Sequence, residues 1–170
     1  AVNEDGTPKF KLADEPEASN GKMTFPTEHI FAVHNSNATS TLTSYFFNYQ
    51  TMYTQNISSL QTAYETSLHT SDIRFKDERL WEERYEPLVS QPQNYFRKYY
   101  ENETTAVKQM PLIRLSEMYF IAVENGDTDL FRTYRIARNL DASIDGTLTD
   151  QNAIMARLEL EYRKDFYGEG

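Results

Sequence analysis

Three stretches of helical periodicity in the last third of the chain restrict the fold more than any other feature of the sequence. In the first, apolar residues recur every three or four positions from Leu112 to Ala122, after a proline at 111. Proline is favoured as the first residue of a helix, so we predict that this helix begins at Pro111. The stretch is apolar around most of its girth, which is typical of a buried helix. Asn125-Gly126 is a good terminator, and the helix is expected to end there.

A second and a third helix are predicted after the first. Asp127 or Thr128 can cap a helix whose apolar positions extend to Ala137, and Thr149 can cap another in which residues 154–166 keep a four-residue step. The link between the first two helices is so short that they must form an antiparallel hairpin. This pair has roughly the length of one tetratricopeptide unit, and a single such unit cannot bury its own apolar face. We therefore predict a mainly α fold of tetratricopeptide-like helix pairs with long loops, in a chain cut from a longer exported protein.

The sequence before these helices is less regular. Residues 1–28 are polar and punctuated by Gly and Pro, which predicts an irregular lead-in laid on the surface. His29–His34 is rich in branched and aromatic residues, and favours a buried strand or an extended segment docked on helices. A capping-box pattern predicts a short helix over 58–69. The aromatic stretch 45–54 has no clean period and supports no assignment.

Composition excludes several classes of function. Seventeen Lys and Arg residues against 26 Asp and Glu residues give a formal net charge of −9, which disfavours binding to nucleic acids or to an anionic membrane surface. The chain contains no cysteine, which rules out disulfides, thiolate metal sites and a cysteine nucleophile. His29 and His34 point to opposite sides of an extended segment, so they cannot converge on a metal from one strand. We predict no metal site and no cofactor.

No catalytic motif is present in the sequence. There is no nucleophile elbow, phosphate-binding loop or dinucleotide fingerprint. Carboxylate pairs occur at 82 and 83, 101 and 103, and 159 and 161, and two carboxylates are what glycoside hydrolysis requires. Such pairs are also expected on the solvated faces of a chain this acidic. We therefore predict a protein that is not an enzyme, and keep a glycoside hydrolase fragment as an alternative.

The sequence also suggests two kinds of side-chain contact. Arg114 and Glu117 lie three residues apart on the first predicted helix, where they are expected to form an internal ion pair or to reach the third helix. Trp81, Tyr85 and Tyr95 are the candidate ligand-binding residues, because flat aromatic rings stack on the apolar faces of sugar rings. The same rings equally suit the interfaces between helices, and this second interpretation stays open.

Several segments, in a consistent order, resemble motifs of the SusD/RagB family: Glu28-His29-Ile30-Phe31-Ala32-Val33, Asp72-Ile73-Arg74, and the segments 110–122, 134–140 and 161–170. The third has the family's order of Pro, two aliphatic residues, Arg, an aliphatic residue, Ser or Ala, and Glu. The fifth is similar to the pattern Glu-Arg-Arg-Lys-Glu-Phe-x-x-Glu-Gly. The sequence departs from the family at Val123, where Ala is usual, and at Tyr134, where Asn is usual.

The resemblance implies a fold, a function and a location. Members of this family are surface-exposed outer-membrane lipoproteins of Gram-negative bacteria, which capture a glycan or another nutrient for a SusC-like TonB-dependent transporter. They catalyse no reaction, and their scaffold is built from tetratricopeptide-like helix pairs. By this resemblance residues 29–170 are the C-terminal part of one SusD-like domain, whose lipid anchor lies outside this sequence. Arg114, Glu117, Glu161 and Arg163 match scaffold positions. The alternative is a helical-repeat module that binds a protein and no sugar.

Overall fold

The fold combines short helices with two small antiparallel sheets. The structure is a computed structural model that describes residues 2–38, 42, 54–85, 91–99 and 109–169. Of the described residues, 44% are helical and 17% are strand. The prediction of a mainly α fold of tetratricopeptide-like helix pairs is therefore wrong, and the fold is mixed α and β. The physical reason is that segments before and between the predicted helices, together with the start of the helix predicted from Pro111, pair with one another as strands.

The described residues contain five α-helices: α1 (Glu15–Ser19), α2 (Ile57–Tyr64), α3 (Leu115–Glu124), α4 (Thr128–Ala137) and α5 (Gln151–Asp165). Short 3-10 turns occupy Pro26–Glu28, Lys76–Glu78 and Ala142–Thr147. The strands are β1 (His29–His34), β2 (Thr54–Gln55), β3 (Trp81–Arg84), β4 (Gln93–Phe96) and β5 (Gln109–Arg114). β1 pairs with β5, and β4 pairs with β2 on one side and β3 on the other, all antiparallel. The aromatic stretch 45–54 lies almost entirely outside the described residues.

Polar side chains cap four of the five described helices, and one of these caps, Asp127, is among those that the sequence predicts. The carboxylate of Asp127 accepts a hydrogen bond from the Leu130 amide at the start of α4, as one of the two predicted caps. α5 is capped by Asp150 and not by Thr149, because the Asp150 carboxylate reaches the amide of Ala153. A side-chain oxygen at such a position satisfies an amide that has no partner inside the helix.

The predicted helix over 58–69 is shorter than expected. α2 ends at Tyr64 because Glu65 adopts left-handed backbone angles, with φ of 51°. Its first turn is capped by Asn56, whose side chain accepts from the Ser58 amide at 2.8 Å. Residues in the left-handed backbone conformation commonly end helices, but the local sequence around Glu65 contains no glycine or asparagine that would predict one.

The segment around Pro111 forms a strand and not the start of a helix. β5 runs from Gln109 to Arg114, with Pro111 opposite Ala32 of β1, and α3 begins only at Leu115. Apolar residues in a short run suit a strand as well as a helix, so periodicity alone could not separate the two. A proline is tolerated in a two-stranded sheet because its missing N–H can face away from the partner strand.

β1 forms the strand that the sequence predicts, but it is not buried. The side chains of Ile30, Phe31 and Val33 are all exposed, as are Leu112 and Ile113 of β5. The physical reason is that a sheet of two strands has no neighbouring layer among the described residues to cover these positions. The prediction that His29–His34 is buried is therefore wrong.

Two apolar clusters form the core. The first collects side chains from the N-terminal segment, α2 and the three-stranded sheet: Ala13, Ala18, Met23, Phe25, Leu60, Tyr64, Ile73, Leu80, Trp81, Phe96 and Tyr99. The second lies among α3, α4 and α5: Phe120, Val123, Phe131, Tyr134, Ile154 and Leu158. Residues 13–25 therefore contribute directly to the core, and are more than a lead-in along the surface.

Candidate functional site

Seven charged side chains are buried between the two apolar clusters, at 0 or 1% exposure. They are three arginines and four carboxylates, which we call the buried ion network: Arg74, Arg114, Arg138, Glu28, Asp72, Glu161 and Asp165. Charges this deeply buried are retained only when they are paired and hydrogen bonded. The geometry of each pair therefore decides what the network can do.

Arg74 forms one end of the network. Its guanidinium donates to both carboxylate oxygens of Asp72, at 2.9 and 2.7 Å, and to Glu161 Oε2 at 2.7 Å. Its Nη1 also donates to the hydroxyl of Tyr134 at 2.9 Å. The planar guanidinium has five N–H donors in a fixed fork, and this arrangement uses most of them.

Asp165, at the end of α5, forms the other end. Its carboxylate accepts from Nε and Nη2 of Arg138, and its carbonyl oxygen accepts from Nη2 of Arg114 and from Nζ of Lys98, both at 2.7 Å. Arg138 Nη2 also lies 2.7 Å from Glu28 Oε1. These contacts satisfy C-terminal groups of α5 with donors from three distant parts of the chain.

The network keeps Glu161 and Asp165 ionised. Burial alone would raise the pKa of Asp165, but Arg138, Arg114 and Arg74 outweigh burial and hold that pKa far below its usual range. Burial opposes ionisation of Glu161 as well, yet Arg74 and Lys164 bring its pKa down to about 2. A carboxylate with so low a pKa cannot donate a proton at neutral pH, so these groups are poor general acids.

The pKa of Lys98 is lowered as well, which for a lysine favours the neutral form. Burial, together with the nearby charge of Arg114, lowers its pKa to about 8. Its ammonium group forms an ion pair with Glu169, next to the carbonyl of Asp165. Lys98 is therefore a structural donor that clamps the turn after α5.

Of the two contacts predicted for Arg114, the ion pair with Glu117 is not formed and the contact with the third helix is confirmed. Arg114 lies at the end of β5 and not inside a helix, and its side chain reaches Asp165 of α5, as well as Glu28 and Glu169. Arg163, another position matched to the family scaffold, is exposed and pairs with Glu159.

The carboxylate pairs considered for hydrolysis are engaged elsewhere or lie outside the described residues. Glu82 is 2.6 Å from Arg84 and 3.1 Å from Arg97, and Glu161 belongs to the buried ion network. The pair at 101 and 103 lies outside the described residues. The part of the chain that the structure describes also contains no cluster of three or more acidic, His or Cys side chains suited to holding a metal.

An aromatic groove lies between α2 and the C-terminal half of α5, and encloses about 980 Å³. Tyr64 and Trp81 form part of its wall, with Trp81 Nε1 donating to the Tyr64 hydroxyl at 3.3 Å. The ring of Tyr167 is 5.2 Å from that of Trp81, and the Tyr167 hydroxyl accepts from Gln55 at 3.4 Å. Pockets of this size that are lined by rings and a few polar groups are typical of small-molecule sites.

The three predicted ligand-binding residues do not meet at one surface. Trp81 lines the aromatic groove although only 4% of the residue is exposed, while Tyr85 is 78% exposed beyond the end of β3. Tyr95 is buried and pairs with Glu82, so it faces the side of the sheet opposite to Trp81. Tyr64 and Tyr167, which accompany Trp81 in the groove, were not predicted, because only the fold brings α2 and the turn after α5 beside β3.

No family model, curated protein or solved structure matches the chain. No helix among the described residues has both the length and the apolar character needed to cross a bilayer.

Proposed function

We propose that this chain is the C-terminal portion of a SusD/RagB-type surface protein. In this proposal it captures a glycan or another nutrient without chemical change, and delivers it to a SusC-like TonB-dependent transporter in the outer membrane of a Gram-negative bacterium. The family assignment is supported by the segments that resemble its motifs. All five contribute to the buried ion network: Glu28, Asp72 and Arg74, Arg114, Arg138, and Glu161 and Asp165. Motif residues that are scattered in sequence thus share one structural role.

The aromatic groove is the observation that carries the binding function. Its partly exposed rings, Tyr162, Phe166 and Tyr167, offer apolar surface on which a sugar ring can stack, and its polar edges include Gln55 and Ser59.

The described residues that line the groove include no carboxylate, and the two cations among them, Arg163 and Lys164, are paired with Glu159 and with Glu65 and Glu161. A neutral ligand therefore meets no uncompensated carboxylate there.

The proposal is tested by calorimetric titration of neutral plant, host and microbial oligosaccharides. We expect saturable binding of one class of glycan, with the same oligosaccharide recovered unchanged. Ala63→Trp places a large ring into the groove from an exposed position on α2, so it should weaken binding at least tenfold. Gln61→Trp is the matched control, because Gln61 is exposed on the same helix but does not line the groove.

Three results would contradict this assignment. Absence of binding across the panel would refute glycan capture, and equal losses in both variants would place the ligand outside the groove. Hydrolysis of the bound oligosaccharide would restore the glycosidase alternative.

A protein-docking module without sugar binding is the second candidate. It is favoured by the exposed apolar side chains on β1, β5 and α3. This candidate rests on those exposed side chains and not on a helical repeat, because the described residues form no such repeat. Failure of every glycan to bind, combined with loss of transporter co-purification in Phe31→Ser, would support it.

A further inference from the structure

A second cavity, of about 550 Å³, also borders Trp81 but is lined by different residues from the aromatic groove. Its wall includes the hydroxyl groups of Thr66 and Thr70, the ring of Phe75 and the carboxylate of Glu83. Asn94 of β4 completes this part of the wall, directly opposite Glu83 in the sheet. The cavity thus combines aromatic surface with several hydrogen-bonding groups, which is the composition of a small-molecule site.

The side chain of Asn94 has an unmet hydrogen bond. Asn94 is 2% exposed, and its Nδ2 has no hydrogen-bond partner among the described residues. Leaving a buried donor unsatisfied is costly, and folded proteins rarely tolerate it without a functional reason or a bound molecule. An acceptor oxygen inside the cavity would remove this cost.

The charges around the cavity disfavour an anionic ligand. Glu83 and Asp77 outnumber Lys76, which lies 3.9 Å from Asp77. His69 adds no charge at neutral pH, because burial and the nearby Lys164 lower its pKa and its Nδ1 accepts from the Asp141 amide. A ligand without net charge meets none of these penalties.

A sugar hydroxyl matches the remaining groups because it donates and accepts at once. Its hydrogen can be donated to the Glu83 carboxylate while its oxygen accepts from the Asn94 amide. The partly exposed ring of Phe75 provides apolar surface for the C–H face of a pyranose.

We propose that this cavity binds one neutral, hydroxyl-rich sugar ring, with Asn94 as the donor to a ring hydroxyl. This inference rests on the proposed function only for its class of ligand, since the cavity is separate from the aromatic groove. The Nδ2 atom is closed to solvent. A rotation of the Asn94 side chain therefore accompanies binding.

The test is nuclear magnetic resonance of the intact chain, with the Asn94 side-chain amide observed during titration with neutral methyl glycosides. Asn94→Asp identifies the signal by removing it. We expect a saturable shift of that signal, and at least a tenfold loss of glycoside affinity in Asn94→Leu. Gln93→Leu is the matched control, because Gln93 is the adjacent residue of β4 and faces the other side of the sheet.

The outcomes separate this inference from the proposed function. Glycoside-induced shifts around Ala63 without a shift at Asn94 would overturn the inference and leave glycan capture in the groove standing. A shift at Asn94 with no oligosaccharide bound in calorimetry would support the inference and refute capture in the groove. Absence of any shift overturns the inference, as does unaltered glycoside affinity in Asn94→Leu. If Asn94→Leu fails to fold, the titration of the unmodified chain still shows whether a glycoside shifts the Asn94 signal.

Discussion

At the scale of single residues, the buried charges depend on one another. Arg74, for example, is held by Asp72, Glu161 and the hydroxyl of Tyr134, with no water-exposed surface to replace a missing partner. Removing one member of such a pair leaves an uncompensated buried charge, which costs far more than a pair on the surface contributes. The residues of the motif-like segments that lie in this network therefore have an architectural role. In the proposed function, the contacts with the ligand are made by other residues.

The contribution of Glu161 to stability should depend on pH in a defined window. Its pKa falls from an ordinary value of 4.5 to about 2 in the folded chain, so its stabilising effect is complete above about pH 4.5 and is lost as the pH falls toward 2. We expect Glu161→Gln to lower the free energy of unfolding by about 3 kcal/mol at pH 7. The difference from the unmodified chain should narrow steadily below pH 4.5, as measured by urea denaturation.

Glu159→Gln is the control for this prediction, because Glu159 lies on the same helix in an exposed pair with Arg163. It should change the free energy of unfolding by less than about 1 kcal/mol at any pH. A difference for Glu161→Gln that stays constant down to pH 2 would show that ionisation of this carboxylate does not stabilise the fold.

At the scale of elements, local signals predicted ends and caps better than they predicted pairing. The end of α3 at Asn125 and the cap of α4 at Asp127 follow from chemistry within a few residues, and both predictions are confirmed. The local sequence predicts the first turn of a helix where β5 lies. It cannot show the pairing with β1, because that strand is about eighty residues away in the sequence. The set of ligand-binding residues predicted from the sequence is incomplete for the same reason. Trp81 could be named from its ring, whereas Tyr64 and Asn94 gain their roles only through packing.

The turn after α5 should be sensitive to substitution at Gly168. Its φ is +76°, and a Cβ atom there would lie 2.7 Å from Cε1 of the fully buried Phe96. Gly168→Ala should therefore destabilise the chain by about 2–4 kcal/mol, from backbone strain and displacement of that ring. Thermal or urea unfolding measures this loss.

Gly126→Ala separates the two causes, because Gly126 has φ of +101° with nothing near its Cβ position. It should cost only about 1–2 kcal/mol. Equal losses at Gly168 and Gly126 would show that the contact with Phe96 is absorbed without strain.

At the scale of the whole molecule, exposed apolar side chains are concentrated on one group of elements. Ten large hydrophobic residues are exposed among the described residues, and seven of them lie on β1, β5 and α3: Ile30, Phe31, Val33, Leu112, Ile113, Met118 and Ile121. We call these seven the apolar patch. β5 pairs with β1 and leads directly into α3, so the seven belong to neighbouring parts of the structure. Concentrated apolar surface of this kind marks interaction sites or a tendency to associate.

The apolar patch should bind a hydrophobic dye in the isolated chain. We expect anilinonaphthalene sulfonate to fluoresce with the folded protein, and Phe31→Ser combined with Leu112→Ser to reduce that signal by at least half. Ile136→Ser is the control, since Ile136 is 65% exposed on α4, an element that carries none of the seven residues. A similar loss from the control, or no dye bound at all, would contradict a continuous patch.

The buried ion network also joins residues that are synthesised at different times. The cations Arg74 and Arg114 leave the ribosome well before their partners Glu161 and Asp165, which lie on α5. Until α5 is made, Arg74 has only Asp72 and Arg114 has only Glu28 as a carboxylate partner in the network, so burial of these arginines is less favourable than in the complete fold. The network therefore cannot be complete before α5 has been made.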